Sequence, residues 1–358
     1  MSDDLSTETQ NRTLFCSSVK EDRWHERSGE NAYEWWHFDA LSDDGLSAVV
    51  ITFSDNYPFS PRYVSASSSK SCGRCPTVGL TYVSDGKTVH RTINEYGGIE
   101  FGADRDRVGC RIGESSFDIE TAPYGTGYVV IVDVPSVAAR RMRATFEWVA
   151  VESDLLEADD LDDSMQNRWN IVAPRSDVSG RIEMIGAGGV TESTIHFRGT
   201  GYHDHVAGVG AFHDTHLSRQ WGRAHFTDAT AAFRIDHTSG HDGPEAQLIL
   251  VRDGQIHIRN TAFEDQRPKR DRFGVRYSSR LSFSSDDGIR LRVKPVRVIE
   301  SSFWNVKLLS EMTLMLRDGK PRKTIGISEH MVPKNMKYGL VRWFSDLRIG
   351  KNGKPPFI

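Results

Sequence analysis

Asp-Gly pairs recur along this chain, in SDDGL (42–46), SDGK (84–87), RDGQ (252–255), SDDGI (285–289) and RDGK (317–320) among others. Glycine enters positive φ at no steric cost, so an Asp-Gly pair between strand-forming runs favours a tight antiparallel hairpin. Such runs are present. SAVVITFS (47–54), YVVIVDV (128–134), RATFEWVAVES (143–153), AQLILVR (246–252), GIRLRVKPVRVIES (288–301) and EMTLMLRDG (311–319) are β-branched or aromatic, and several alternate at period two. Helix signals are few, and the acidic stretch 152–170 reads as a loop with at most a short helix. The fold class expected is all-β, with antiparallel strands closing into sandwiches or barrels. At 358 residues, two barrels in tandem accommodate the strands better than one. The Gly-rich stretch GRIEMIGAGGVTES (180–193) is the expected division. It gives a disordered lead-in (1–28), a first barrel (29–185), a second barrel (186–333) and a basic amphipathic tail (334–358).

Composition narrows the function classes. A net charge of −4 with no basic stripe gives no footprint for nucleic acid. No apolar run approaches the roughly 20 residues of a spanning helix, and the polar start MSDDLSTETQNR does not read as a secretory signal. Of the four cysteines, Cys72 and Cys75 form a CxxC with no second pair to complete a zinc ribbon, so they read as loop thiols of a reducing, cytoplasmic protein. In the tail, Lys334, Lys337, Arg342, Arg348, Lys351 and Lys354 alternate with Tyr338, Leu340, Val341, Trp343, Phe344, Leu347 and Ile349. A helix there would dock on its own barrel, or lie on the cytoplasmic face of a membrane.

Eight of the 13 histidines fall between His196 and His241. The densest point is FRGTGYHDHVAG (197–208). On a strand, His203 and His205 share one face, and Tyr202 and Asp204 share the other. Three chemistries compete. A metal site would take His203 and His205 plus His213, His216 or His225. An acid–base site would hold Asp204 protonated in an apolar pocket beside a histidine. A structural corner would use the same groups to satisfy backbone. A second cluster, NAYEWWHFDALSDDG (31–45), puts Tyr33, Trp35, His37 and Asp39 on one strand face and Glu34, Trp36 and Phe38 on the other. Aromatic faces stabilise cations through their quadrupole. A protonatable acid among them is equipment for making and holding a carbocation. A third piece, RQWGRAHFTDATAAFRID (219–236), offers Trp221 to the same wall and Asp236 as a further carboxylate.

AYEWWHFDALSDDG, APYGTGYVVIVDV, ATFEWVAVESDL, WNIVAPRSDVSGRI, HFRGTGYHDH and WGRAHF, in this order over roughly 29–350, resemble the carotenoid 1,2-hydratase family, also called hydroxyneurosporene synthase. That family sits among paired lipocalin-like barrels that include tocopherol cyclase relatives and fungal Diels–Alderases. The resemblance implies two lipocalin-like barrels. It also implies water addition, without cofactor or metal, to a terminal alkene of an acyclic carotenoid or related isoprenoid, a hydrophobic small-molecule substrate. An acid of raised pKa would protonate the alkene, and aromatic rings would shield the cation. Carried over, His205 is the functional histidine and Asp236 the nearest match to the acid. The family's Trp falls on Ala207 and a Tyr on Arg234. A fixed positive charge at Arg234 would lower the pKa of Asp236, which leaves Asp204 and Asp39 as the other candidate acids. The expected catalytic set is His205, Asp204, Asp236 and His203. The expected substrate wall is Tyr33, Trp35, Trp36, Asp39, Tyr202 and Trp221. Cyclisation, a pericyclic reaction or simple carriage of a hydrophobic ligand are the alternatives on this fold.

Overall fold

The turn chemistry is realised strand by strand. Gly45, Gly86, Gly254, Gly288 and Gly319 all have positive φ, and Asp85 and Asp253 join their glycines in the left-handed region, as the tightest hairpin turns require. The structure, a computed structural model, describes residues 13–27, 29, 31–66, 73–122, 125–138, 140–157, 167–317 and 319–357. Cys72 and the middle of the acidic stretch lie outside the described residues. Cys16, Cys75 and Cys110 are buried.

The chain is almost entirely β. In the first sheet, β1 (Thr13–Cys16), β2 (Tyr33–Ser42), β3 (Ala48–Ser54), β4 (Thr77–Ser84), β5 (Lys87–Glu95), β6 (Phe101–Ala103), β7 (Gly109–Ile112), β8 (Ser115–Ala122), β9 (Gly125–Ser136), β10 (Arg140–Glu152), β11 (Asn167–Ile185) and β12 (Thr191–Gly208) combine with a late strand (Gly350–Lys351). From β5 to β6 the order is β5-β4-β3-β2-β12-β11-β10-β9-β8-β7-β6, with β1 parallel to β11. The second sheet contains β13 (His216–His225), β14 (Thr230–Thr238), β15 (Glu245–Arg252), β16 (Gln255–Asn260), β17 (Ala262–Arg270), β18 (Arg276–Ser284), β19 (Arg290–Ser301), β20 (Asn305–Met315) and β21 (Pro321–Met331). Its order is β16-β15-β14-β13-β21-β20-β19-β18-β17. Both sheets curl, and the architecture is two lipocalin-like barrels in tandem. The first encloses Trp36, Phe38, Phe53, Phe117, Tyr128, Phe146 and Trp148; the second encloses Phe233, Leu248, Phe283, Leu291 and Met312. Period-two alternation supplies each inner face.

Two sequence expectations need correction here. The Gly-rich stretch is not a boundary: β11 and β12 are antiparallel partners in one sheet, from Ile185↔Thr191 to Arg168↔Ala207. The first compact unit runs on to Ala211, and the main segment of the second is Phe212–Val341, joined by Val83–Thr88. The glycines serve the hairpin turn between β11 and β12, where Gly189 has φ +77. The lead-in is ordered from Thr13, because β1 pairs with β11 and a 3₁₀ turn over Lys20–Asp22 buries Asp22 completely. The tail docks in part. Its helix, Gly339–Leu347, buries Val341 and Ser345, the Ser345 hydroxyl donates to the Phe59 carbonyl at 2.7 Å, and Gly350–Lys351 pairs with β5. Leu340 and Trp343, at 65% and 59% exposed, point outward. Among the described residues no helix is long and apolar enough to cross a membrane.

Candidate functional site

The β2–β12 ladder carries the chemistry, with one cluster on each face. Register sets His203 opposite Phe38, Asp204 opposite His37, His205 opposite Trp36 and Tyr202 opposite Asp39. Alternation then sends Glu34, Trp36, Phe38, His203 and His205 into the barrel. It sends Trp35, His37, Asp39, Tyr202 and Asp204 to the other face.

On that other face, Asp204 is 5% exposed. Tyr202 Oη and Trp169 Nε1 both donate to its Oδ2, each at 2.8 Å. Among the described residues Oδ1 receives no donor. Burial drives the Asp204 pKa up. The positive field of His37 and the two neutral donors offset this only in part, so it stands above the usual carboxylate value. Beside it, His37 Nε2 lies 3.1 Å from Asp39 Oδ2. The aromatic groups are Tyr33 stacked on Trp35, with centroids 5.1 Å apart, and Phe15 tilted on Trp169 at 4.9 Å. A buried carboxyl of raised pKa, a His–Asp pair across the ladder from it and several aromatic rings share one sheet face.

The inner cluster is denser in charge. His203 stacks flat on Phe38 at 3.8 Å, and His205 stacks on Trp36 at 4.5 Å. His203 Nδ1 is 3.0 Å from the His37 carbonyl, which can only accept, so that nitrogen carries hydrogen. Its Nε2 faces Asp22 Oδ2 at 2.9 Å. His205 Nε2 and His25 Nδ1 converge on one oxygen, Glu34 Oε2, at 3.1 and 3.2 Å. Burial alone would raise Glu34, but the His205 and His25 hydrogen bonds hold it well below the usual carboxylate range. Burial pushes His205 down despite Glu34. Burial also opposes charge on His25, yet Glu21 and Glu34 carry it above the ordinary histidine value. Asp55 accepts the Glu34 amide at 2.7 Å. Burial lifts it to about 7; the Arg74 guanidinium pulls the other way and the Glu34 charge adds to the rise.

The remaining sequence candidates lie elsewhere. Asp236 and Trp221 are in the second unit, not in this cluster. Asp236 is clamped by Arg219 Nε at 2.7 Å and Arg234 Nε at 2.9 Å. Burial would raise its pKa, but the two guanidiniums hold it well below the carboxylate range. An acid so held stays ionised and is unsuited to donate a proton, as Arg234 foreshadowed. Trp221 Nε1 donates to Glu329 at 3.2 Å. His213, His216 and His225, the other histidines considered for a metal set, belong to the second unit, where His216 Nε2 meets Arg219 at 3.1 Å. Instead His25, Glu34 and His205 bring three donor atoms within 4.8 Å of one another. Sequence reading missed Asp22 and His25, because no periodicity marks 17–27. Glu34 carried a signal, its shared parity with Trp36 and Phe38. Trp169 sat in a quoted motif but had no partner until β11 was placed beside β12.

No family model matches the chain. A protein of Chlorobaculum tepidum named hydroxyneurosporene dehydrogenase is 22% identical over 353 residues, covering 92% of this chain and 90% of the relative. Among solved structures, CghA with Sch210972 is similar at a TM-score of 0.59 and 14% identity, over 85% of this chain and 89% of that one. CghA alone gives 0.55 at 12% identity, over 86% and 90%. At these identities the structural likeness speaks for the fold.

Proposed function

We propose that this protein is a hydro-lyase that protonates a trisubstituted alkene of an acyclic carotenoid or related isoprenoid and adds water to the resulting cation. The observation that carries this reading is Asp204, a buried carboxyl of raised pKa whose Oδ2 takes both hydrogen bonds, leaving Oδ1 to hold the proton. In the reaction the alkene π pair takes that proton to form a C–H bond. The tertiary cation is shielded by the Trp35, Tyr33 and Trp169 rings. Water adds through its oxygen, and its surplus proton passes to the carboxylate of the His37–Asp39 pair. Return of the proton to Asp204 closes the cycle. The relative's name concerns a hydroxylated neurosporene, which supports the substrate class. A dinucleotide-dependent dehydrogenation would want a parallel βαβ unit. Among the described strands only two short pairings run parallel, β1 with β11 and β5 with Gly350–Lys351.

Ala207, standing where the resembled family has Trp, lies on the inner face with Glu34 and His205 rather than with Asp204; its small side chain favours a second reading, cyclisation or a pericyclic step, which needs shape more than a cation shield. The test is a product assay with lycopene, neurosporene and squalene in D₂O, analysed by mass spectrometry. Hydration gives a product heavier by one D₂O, with one deuteron bound to carbon. An isomer of unchanged mass, or one gaining deuterium without oxygen, supports cyclisation. Stoichiometric binding without any product supports a carrier and sinks both enzyme readings. Such substrates partition into bilayers, and exposed Tyr338, Leu340 and Trp343 beside Lys334 form a surface suited to anionic lipid. Failure to sediment with anionic liposomes at low salt would remove membrane contact from the proposal.

A further inference from the structure

We propose that His25, Glu34 and His205 form a binding site for one divalent transition-metal ion, of the zinc or iron(II) class, on the inner face of the β2–β12 ladder. This site stands independently of the hydration reading, which uses the opposite face. Each His nitrogen lies 3.1–3.2 Å from Glu34 Oε2. Ligand atoms about 2.0–2.1 Å from a tetrahedral ion stand roughly 3.3 Å apart, so those two edges of the coordination face are nearly at their final length. Two imidazoles and a carboxylate suit zinc or iron(II) rather than magnesium or calcium.

The second observation is what each imidazole meets on its far side. His25 Nε2 meets Arg168 Nη1 at 2.7 Å and Glu21 Oε2 at 3.4 Å, and His205 Nδ1 faces Asp22 Oδ1 at 3.5 Å. Carboxylates in this position fix the tautomer of metal-bound histidines and raise their basicity. His205 Nδ1 and Asp22 Oδ1 are also buried without a hydrogen-bond partner. Metal at Nε2 explains this pair. It displaces the His205 hydrogen from Nε2 to Nδ1, where Asp22 Oδ1 stands to accept it. Three carboxylates, Glu21, Asp22 and Glu34, balance the incoming charge against buried Arg168, which donates to Glu21 at 2.6 Å, and Arg23 at the rim. The ion would tie the 17–27 segment to β2 and β12.

The test is titration of chelator-stripped full-length protein with Co²⁺, Zn²⁺ and Fe²⁺, followed by calorimetry, by the visible spectrum of the cobalt form and by thermal shift. One equivalent of Co²⁺ is expected, with the absorption of a four- or five-coordinate N/O site, and Zn²⁺ should raise the Tm. Affinity should fall at least ~100-fold in His25→Ala and His205→Ala, and ~10–100-fold in Glu21→Gln and Asp22→Asn. Binding should be unchanged in the exposed-histidine control His241→Ala. His25 lies outside any strand, so His25→Ala keeps the test readable even if core variants misfold. Absence of saturable 1:1 binding of all three ions to the wild type would overturn the site, as would binding of full strength in His25→Ala.

Discussion

Asp204 and Asp236 are both buried carboxylates on the strands that sequence reading nominated, yet their environments shift their pKa values in opposite directions. Asp204 meets two neutral donors, Tyr202 and Trp169. Asp236 meets two guanidiniums, Arg219 and Arg234. Burial penalises the charged form at both. A dipole returns only part of that penalty, whereas paired full charges overturn it. The lesson is that a buried acid becomes a proton donor through the partners it lacks.

The largest effect should come at the clamped carboxylate. Asp236→Asn leaves Arg219 and Arg234 buried without their counter-ion and should cost about 3–5 kcal/mol in chemical denaturation. Because its folded pKa is depressed, the stabilisation by Asp236 is present above the usual carboxylate value and is lost as pH falls through the folded one. The wild type, but not the variant, should show this acid loss. A variant as stable as the wild type would break the contrast.

Asp204→Asn should do the reverse. Product formation should fall about 10²–10⁴-fold with substrate affinity retained, and stability at neutral pH should hold or rise. The sign follows from the raised pKa: the neutral form's advantage is complete below the unfolded value and lost as pH rises through the folded one. The rate should decline through that same interval, since only the protonated acid donates. Loss of stability comparable to Asp236→Asn would show that Asp204 is a structural anion.

A smaller change sharpens the comparison. Trp169→Phe deletes one donor that favours ionised Asp204, so the alkaline limb of the rate profile should move to higher pH, by less than about one unit for one hydrogen bond. A shift to lower pH would reverse the assigned role. Ala207→Trp, which restores the aromatic residue of the resembled family, should cost about 1–3 kcal/mol from overpacking. Ala207 is 1% exposed and stands between Glu34 and Arg168 across the two ladders. A gain of activity without that cost would place the reacting centre on the inner face, away from Asp204.

Much of the fold was legible because it rests on local rules. The Asp-Gly turns fixed hairpins, and the alternation in YEWWHFDA correctly separated Trp35, His37 and Asp39 from Glu34, Trp36 and Phe38. The pairing of His203 with His205 on one face was equally readable. The inner cluster was not, because Asp22 and His25 reach it through β1, whose parallel pairing with β11 joins Thr13 to Asn167. No local pattern encodes that closure. The misplaced division has a similar cause: a glycine-rich turn inside a long hairpin has the same composition as a linker.

The most direct measurement is the ionisation of Asp204 itself, followed by ¹³C-carboxyl NMR across the pH range, with Asp204→Asn to assign the resonance. A carboxyl that titrates clearly above the unperturbed Asp value of about 3.9 is the expected result. One that titrates at or below that value would contradict a loaded proton donor on this face.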